Sequence, residues 1–435
     1  MFRAVKNLSR LARIALTLAR HDALFPLDRL GFTAPIARAM RLVARLPGLG
    51  PEQSDLRPGE RLAAAFTELG PSFIKFGQSL ATRADLIGEE IAEDLSRLQD
   101  RLPPFPGTEA REIIESELEQ SLEDVFESFD DEPVAAASIA QVHFAVTTDG
   151  APVAVKVLRP GIEAEFERDF DLFSWLAEQV ERTRPDLRRL KPREAIRTFA
   201  RVVAAEMDLR LEAAAAVELA ENFADEPAFK IPAIDWRRTA RRVLTQERIE
   251  GIPADEREAL IEAGIDPDQV LKTASRVFFL QVFRDGFFHA DLHPGNLFVA
   301  PDGTLQVVDF GIMGRLDMAT RRYLGEMLLG FLEGDYGRVA DVHFRAGYVP
   351  ADQSRDLFMQ ACRSIGQPIL GLPLSEISVA RLLAQLFAVT ETFQMEAQPQ
   401  LLLLQKTMMV AEGVGRRLNP DLNMWELSRP LIEEW

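Results

Sequence analysis

An α+β protein with a small strand-rich lobe, a larger helical lobe and a helical N-terminal extension is what this 435-residue sequence predicts. Three observations point there. Short strand-like runs, VHFAVTT and PVAVKVL, cluster between residues 125 and 158 around an Asp149-Gly150-Ala151 turn. Helical character dominates before residue 100 and after residue 250. A single polar hairpin, NLFVAPDGTLQVVDFG at 296–311, turns at Pro301-Asp302-Gly303 inside the second helical region. The length exceeds what one core supports. The expected division is an extension over 1–105, a strand lobe with a long helical insertion over 106–249, and a helical lobe over 250–435.

Each element follows in order. Residues 1–50 hold nine basic residues (Arg3, Lys6, Arg10, Arg13, Arg20, Arg29, Arg38, Arg41, Arg45) against two acids (Asp22, Asp28). Phe2, Leu8, Leu11, Ile14, Ala15 and Leu18 recur among those cations at roughly helical spacing. Two readings fit: a helix lying on an anionic bilayer, or a basic helix packed on the acidic body. LPGLGPEQ at 46–53 separates helices, and RLPPFPG at 101–107 is a stiff break. After the strand pair comes a helical stretch over about 160–224, read as one long helix through RVVAAEMDLRLEAAAAVELAENF. Two further strands follow in FKIPAID and RRVLTQERI, and beyond EGIPA helices resume, including MATRRYLGEMLLGFLEG.

Composition excludes several classes. A net charge of −18 argues against a nucleic-acid binder, because phosphate backbones reward clustered Lys and Arg. Arg10 and Arg13 interrupt any secretion-signal core. The lone Cys362 precludes an internal disulfide and fits a reducing compartment. The best apolar run, at 401–411, is broken by Lys406, so no spanning helix is expected.

The strongest chemical signal is FFHADLHPGNLFV at 287–299. Asp291 and Asn296 stand five apart in a Pro-Gly loop, and the hairpin brings Asp309 back as the first residue of Asp-Phe-Gly. Phosphoryl transfer requires Mg²⁺ to neutralise β- and γ-phosphate charge and a group to orient the nucleophile. Asp291 suits the second task, and Asn296 with Asp309 suits metal. A metal pair of His289 and His293 is the weaker reading. His289 is expected to brace the loop through backbone hydrogen bonds.

Lys156 alternates out of an apolar strand and suits the α- and β-phosphates. Its acid is open on the sequence alone. Glu206 and Asp208 lie about 200° apart on one helix, whereas Asp208 and Glu212 share a face. Backbone around Glu247 to Ile249 is positioned for an adenine edge, at the strand leading into the expected hinge. In VAAASIAQVH, the Cβ atoms of Ala135, Ala136 and Ala137 restrict positive φ. A short helix start capped near Ser138 is the competing reading of that segment.

Together KFGQS at 75–79, AAASIAQVH at 135–143, VAVKV at 153–157, EMDLRLEA at 206–213, HADLHPGN at 289–296 and DFG at 309–311 resemble the UbiB, or ADCK, family of atypical protein-kinase-like proteins over roughly residues 60–420. The resemblance implies a two-lobed kinase-like fold and the binding of ATP with Mg²⁺. It implies that Lys75 and Gln78 belong to an extension folded over the active-site mouth, where Lys75 meets Glu206 and Asp208. By the same resemblance Glu212 pairs with Lys156, and Ala135, Ala136, Ala137 and Ser138 form the nucleotide loop. Family members support ubiquinone biosynthesis, and lipid-stimulated ATP hydrolysis is attributed to them. The implied partners are a nucleotide, a lipid or polyprenylated quinone precursor, an anionic membrane touched peripherally, and ubiquinone biosynthetic enzymes. The expected location is the cytoplasmic face of the inner membrane or the cytoplasm. Bacterial members often continue into two apolar helices; this sequence ends at LSRPLIEEW, which reads as a shortened chain or a soluble variant.

Only IMGRLD separates Asp-Phe-Gly from the next helix, with no Ala-Pro-Glu, so the platform on which protein kinases lay a peptide is missing. That favours a non-protein substrate. Two readings compete with it: a small-molecule kinase of the aminoglycoside or choline type, and a nucleotide-binding scaffold for biosynthetic enzymes.

Overall fold

The computed structural model describes residues 2–23, 56–81, 87–96, 102–183, 192–369 and 399–419, with residue 98 and isolated positions between 385 and 395 and after 419. LPGLGPEQ, Arg29, Arg38, Arg41, Arg45 and nearly all of LSRPLIEEW lie outside the described residues, as do the side chains of residues 2–9. The chain divides into two compact units: residues 1–211 with 235–247, and residues 212–234 with 248–435.

In unit 1, helices α1 (Phe2–Arg20), α2 (Pro58–Leu69), α3 (Pro71–Ala81) and α4 (Glu89–Ser96) form the extension. Ala15, Leu18 and Ala19 of α1 are buried. Arg10 donates from Nε and Nη2 to the fully buried Asp169 carboxylate, at 2.6 and 2.8 Å. From residue 10 onward, then, α1 is a basic helix packed on the body, the second of the two readings of its pattern.

Helices α6 (Ile162–Thr183) and α7 (Pro192–Glu206) pack on α3 through aromatic rings. Phe76 stacks on Phe173 with centroids 5.0 Å apart and meets Phe199 at 5.6 Å, while Phe73 contacts Phe173 edge-on at 5.2 Å. At about 2–3 kcal/mol for each buried Phe, this cluster fixes the register of α3.

The sheet of unit 1 orders β1 (Phe126–Phe129), β3 (Ala140–Thr147), β4 (Pro152–Leu158) and β6 (Val243–Glu247), with β2 (Ala135–Ala136) paired to β3. Val153, Val155, Val157 and Val243 bury against Ile113 and Ile114 of α5 (Gly107–Leu118). Lys156 is the one partly exposed residue between Val153 and Leu158.

The helical stretch expected over 160–224 is three helices, which corrects the single-helix reading of its second half. α7 ends at Glu206 and α8 (Leu209–Asn222) begins three residues on. Asp208 causes the break: its Oδ1 accepts the Arg210 N–H at 3.2 Å, as an N-cap does, and Leu209 N–H donates to Arg241 O at 2.9 Å. The angular argument about Glu206 and Asp208 therefore does not apply, because they are not on one helix.

In unit 2, β5 (Phe229–Lys230), β10 (Leu305–Val307), β9 (Leu297–Val299) and β7 (Ile252–Pro253) form a small sheet, and β8 (Phe287–His289) pairs with β11 (Met313–Arg315). β9 and β10 are the expected hairpin, antiparallel with Leu305 opposite Val299. Its core joins α8, α9 (Pro267–Phe279), these strands and α13 (Pro399–Leu418) through Phe278, Phe288, Leu292, Phe310 and Leu404. Gly314 is required where β11 crosses the Phe288 ring, because a Cβ there would collide with it. Helices α10 (Met318–Glu333), α11 (Tyr336–Arg345) and α12 (Arg355–Gly366) share a second core around Tyr336 and Phe358, and α10 is the helix read from MATRRYLGEMLLGFLEG. Among the described residues no helix is long and apolar enough to cross a membrane.

Candidate functional site

The alanine segment is a hairpin and not a helix start. Ala135 pairs with Val142 and Ala136 with Gln141, and the turn closes where Ala137 N–H donates to Ala140 O at 2.8 Å. No alanine in the turn has positive φ, as the Cβ argument requires. Arg159 pins this turn: its Nε and Nη2 donate to Ala137 O at 3.0 and 2.8 Å, and its Nη1 to Pro103 O at 3.0 Å. Beneath it, the buried Gln141 accepts from Phe105 N–H and donates to Phe105 O and to His143 Nε2, at 3.0, 3.1 and 2.8 Å. His143 donates from Nδ1 to Asp130 O at 2.7 Å, so one neutral tautomer satisfies both ring nitrogens. Burial holds its pKa below the usual 6.5. The Gln and His of this motif are thus scaffold, tying β3 to the Pro-rich segment.

Lys75 on α3 meets Glu206 at the end of α7, with Nζ to Oε2 at 2.8 Å and both side chains about 10% exposed. Asp208 is held by Arg210 in a two-point bond of 2.8 and 2.7 Å, and the Arg210 hydrogen bond keeps its carboxyl below the ordinary range. Gln78, one turn beyond Lys75, is half-buried. Lys156 lies opposite Val142 and Leu244 in the ladder. Glu247 ends β6 opposite Val153, and the division between units falls just after it, before Ile249.

In unit 2 the loop carrying Asp291 is organised by His289. This buried imidazole accepts Asp291 N–H at Nδ1 (3.2 Å) and donates from Nε2 to Val308 O (3.2 Å), while its own N–H donates to Gln281 Oε1 at 2.8 Å. His289 therefore braces the loop to the residue before Asp309, as its sequence position suggests. Burial lowers its pKa and keeps it neutral. Asn296 is buried and donates from Nδ2 to Asp291 O at 3.1 Å, so its amide nitrogen is engaged within the loop. His293 accepts Gly295 N–H at 3.1 Å and caps the short turn Pro294–Asn296.

Asp309 is exposed and sits at φ +63°, a left-handed conformation that costs a non-glycine residue about 1–2 kcal/mol. Strain of that kind concentrates at functional positions. Beside it Gly311 keeps a space open: a Cβ there would stand 3.3 Å from Asp309 Oδ1 and 3.9 Å from Glu212 Oε2. Asp309 and Asn296 both carry hard oxygen atoms, the donor type that magnesium prefers. Glu212 is placed by unit 2 and Lys156 by unit 1.

Past Gly311 the chain enters β11 at once, and α10 starts at Met318, capped by Asp317 Oδ1 accepting Thr320 N–H at 2.7 Å. One residue the sequence reading passed over reaches the loop: Lys406 on α13 donates to Asp291 Oδ1 at 3.0 Å. The signal was a lone cation inside an apolar helical run, which needs a partner.

A strand-rich unit with a lysine set in an apolar strand, and a helical unit with a braced aspartate loop and an Asp-Phe-Gly turn, define a kinase-like protein. Residues 97–343 match the ABC1 atypical kinase-like domain, and residues 362–423 match the UbiB helical domain. The chain is 42% identical over 435 residues to a probable protein kinase UbiB of Marinobacter nauticus, covering 99% of this chain and 79% of that one. It is 44% identical over 389 residues to the protein of the same description from Aeromonas salmonicida, covering 88% and 71%. The Rv3197–erythromycin complex from Mycobacterium tuberculosis superposes with a TM-score of 0.61 at 25% identity, over 92% of this chain and 97% of that one. The chain belongs to the UbiB family of atypical kinases.

Proposed function

We propose that the protein binds ATP with Mg²⁺ and transfers or hydrolyses the γ-phosphoryl group in support of ubiquinone biosynthesis. Its acceptor or activator is a lipid or polyprenylated quinone precursor. The observation that carries this reading is the frame around His289, whose neutral imidazole bonds Asp291 N–H and the carbonyl of Val308, the residue before Asp309, while Asn296 is tied to Asp291 O. Asn296 and Asp309 hold the metal, with Glu212 next to them. When bound, Mg²⁺ neutralises charge on the β- and γ-phosphates. Asp291 orients the attacking hydroxyl or water. Lys156 contacts the α- and β-phosphates, the turn of Ala135, Ala136, Ala137 and Ser138 covers them, and backbone at Glu247 and Ile249 takes the adenine edge. Lys75, Gln78, Glu206 and Asp208 gate the nucleotide.

The direct passage from Gly311 into β11 supports a non-protein acceptor, since no long segment is present there to bind a peptide. The name shared by the relatives, UbiB, supports the pathway. The basic residues of the first fifty other than Arg10 and Arg20, which face Asp169 and Glu68, support peripheral contact with an anionic membrane at its cytoplasmic face.

The test is Mg²⁺-dependent phosphate release with and without cardiolipin-containing vesicles. Wild type is expected to turn over slowly and faster with vesicles, and Asp309→Asn to lose at least about 100-fold, the scale of a displaced charge-stabilising group. Unchanged nucleotide binding and hydrolysis in Asp309→Asn would mean that the site is elsewhere.

A further inference from the structure

We infer that Lys406, on the C-terminal helix α13, is a positioning residue for Asp291; this rests on the phosphoryl-transfer reading above. The backbone of Asp291 is fixed on three sides, by His289 Nδ1 at its N–H and by His293 N–H and Asn296 Nδ2 at its carbonyl. Those bonds leave the two side-chain torsions undetermined. Among the described residues, the carboxylate's partner is Lys406, bound to Oδ1 at 3.0 Å.

The loop itself supplies no permanent cation, because Leu292, His293, Pro294 and Gly295 are all that separate Asp291 from Asn296. Yet Asp309 and Glu212 share this unit, and a triphosphate adds more negative charge. A lysine on Asp291 offsets that repulsion and selects which oxygen works. The acceptor's oxygen, that of water in hydrolysis, forms the bond to the γ-phosphorus. The bond from phosphorus to the β,γ-bridging oxygen breaks, its electron pair leaves on ADP, and the acceptor's proton passes to Asp291 Oδ2.

Lys406 is presented rigidly. Leu404 and Thr407 beside it are buried, Arg257 Nε donates to Leu418 O at 2.9 Å, and Asn419 Nδ2 donates to Asp268 Oδ1 at 2.8 Å. The pair itself is partly open, with Lys406 41% and Asp291 29% exposed, so breaking it leaves the fold intact. The residues matching the UbiB helical domain thus contribute to the site as well as to packing.

The experiment is steady-state ATP hydrolysis by the full chain carrying Lys406→Ala, Lys406→Arg and Lys406→Cys. Lys406→Ala is expected to lower kcat on the order of 10- to 100-fold with KM for ATP unchanged, the loss typical of a misoriented group, and Lys406→Arg to recover most of it. In an Asp291→Asn background, Lys406→Ala should add less than about a twofold loss, as coupled residues do. Lys406→Cys should regain activity on aminoethylation but not on carbamoylmethylation. The other cysteine, Cys362, is buried with its thiol pushed up to about 12, and it stays unmodified. Wild-type rates in Lys406→Ala, higher rates, or additive loss with Asp291→Asn would each overturn the inference while wild-type turnover stands. A wild type without Mg²⁺-dependent turnover would overturn the function reading and the inference together.

Discussion

In unit 1 the motif residues Gln141 and His143 are buried and bonded internally, whereas in unit 2 Asp291 stands partly exposed over a locked backbone and Asp309 is exposed. The contrast separates two reasons for a motif. A buried amide or imidazole with every polar atom paired is scaffold, because leaving it unpaired is expensive. A carboxylate left partly open to solvent over a fixed main chain, as at Asp291, keeps an oxygen accessible from outside the loop. Residue type alone does not distinguish the two.

The sharpest way to break this comparison is Gln141→Ala. It strands the N–H and carbonyl of Phe105 and one nitrogen of His143, each worth about 1–3 kcal/mol when buried unpaired, so unit 1 should lose roughly 3 kcal/mol in urea unfolding. Asp291→Asn should shift stability by less than about 0.5 kcal/mol while stopping turnover. If the two variants lost equal stability, the division into scaffold and contact residues would fail.

Acid should separate the units by a smaller amount. His143 in unit 1 and His289 and His343 in unit 2 are all held neutral by burial, with pKa values below 6.5. Below about pH 6.5 each takes up a proton more readily in the unfolded chain than in the folded one, so stability is full above that pH and falls beneath it. Unit 2 carries two such rings and unit 1 one, so the acid-induced loss is expected to be larger for unit 2. Hydrogen exchange of β3 and β8 amides at the two pH values measures it, and equal losses would contradict the assignment of buried neutral rings.

The smallest effect is expected for Ala137→Gly. Freed from its Cβ, the turn should lose about 0.5–1 kcal/mol and admit positive φ. A changed ratio of ATP to ADP affinity, read by calorimetry, would accompany it; an unchanged ratio would remove the turn from the nucleotide site.

Much of this was legible in the sequence. The β9–β10 hairpin declared itself through Pro301-Asp302-Gly303, and the bracing role of His289 followed from its place before the loop. The break at Asp208 was missed because the apolar period runs through it, and only the cap geometry and the Arg241 carbonyl reveal the stop. Arg159 and Lys406 were missed for another reason. Their partners lie 22 and 115 residues away, and no local pattern encodes contacts of that range. The choice between a lipid-facing and a packed α1 turned on Asp169, which is 159 residues from Arg10.

The left-handed backbone at Asp309 has an evolutionary corollary. Glycine would hold that conformation without strain, so, on the proposal that Asp309 holds the metal, aspartate is kept there for what its carboxylate does. Position 309 is accordingly a one-letter criterion for sorting working relatives from pseudoenzymes. A lineage that has lost the chemistry is free to drift there toward greater stability, and one that retains it is not.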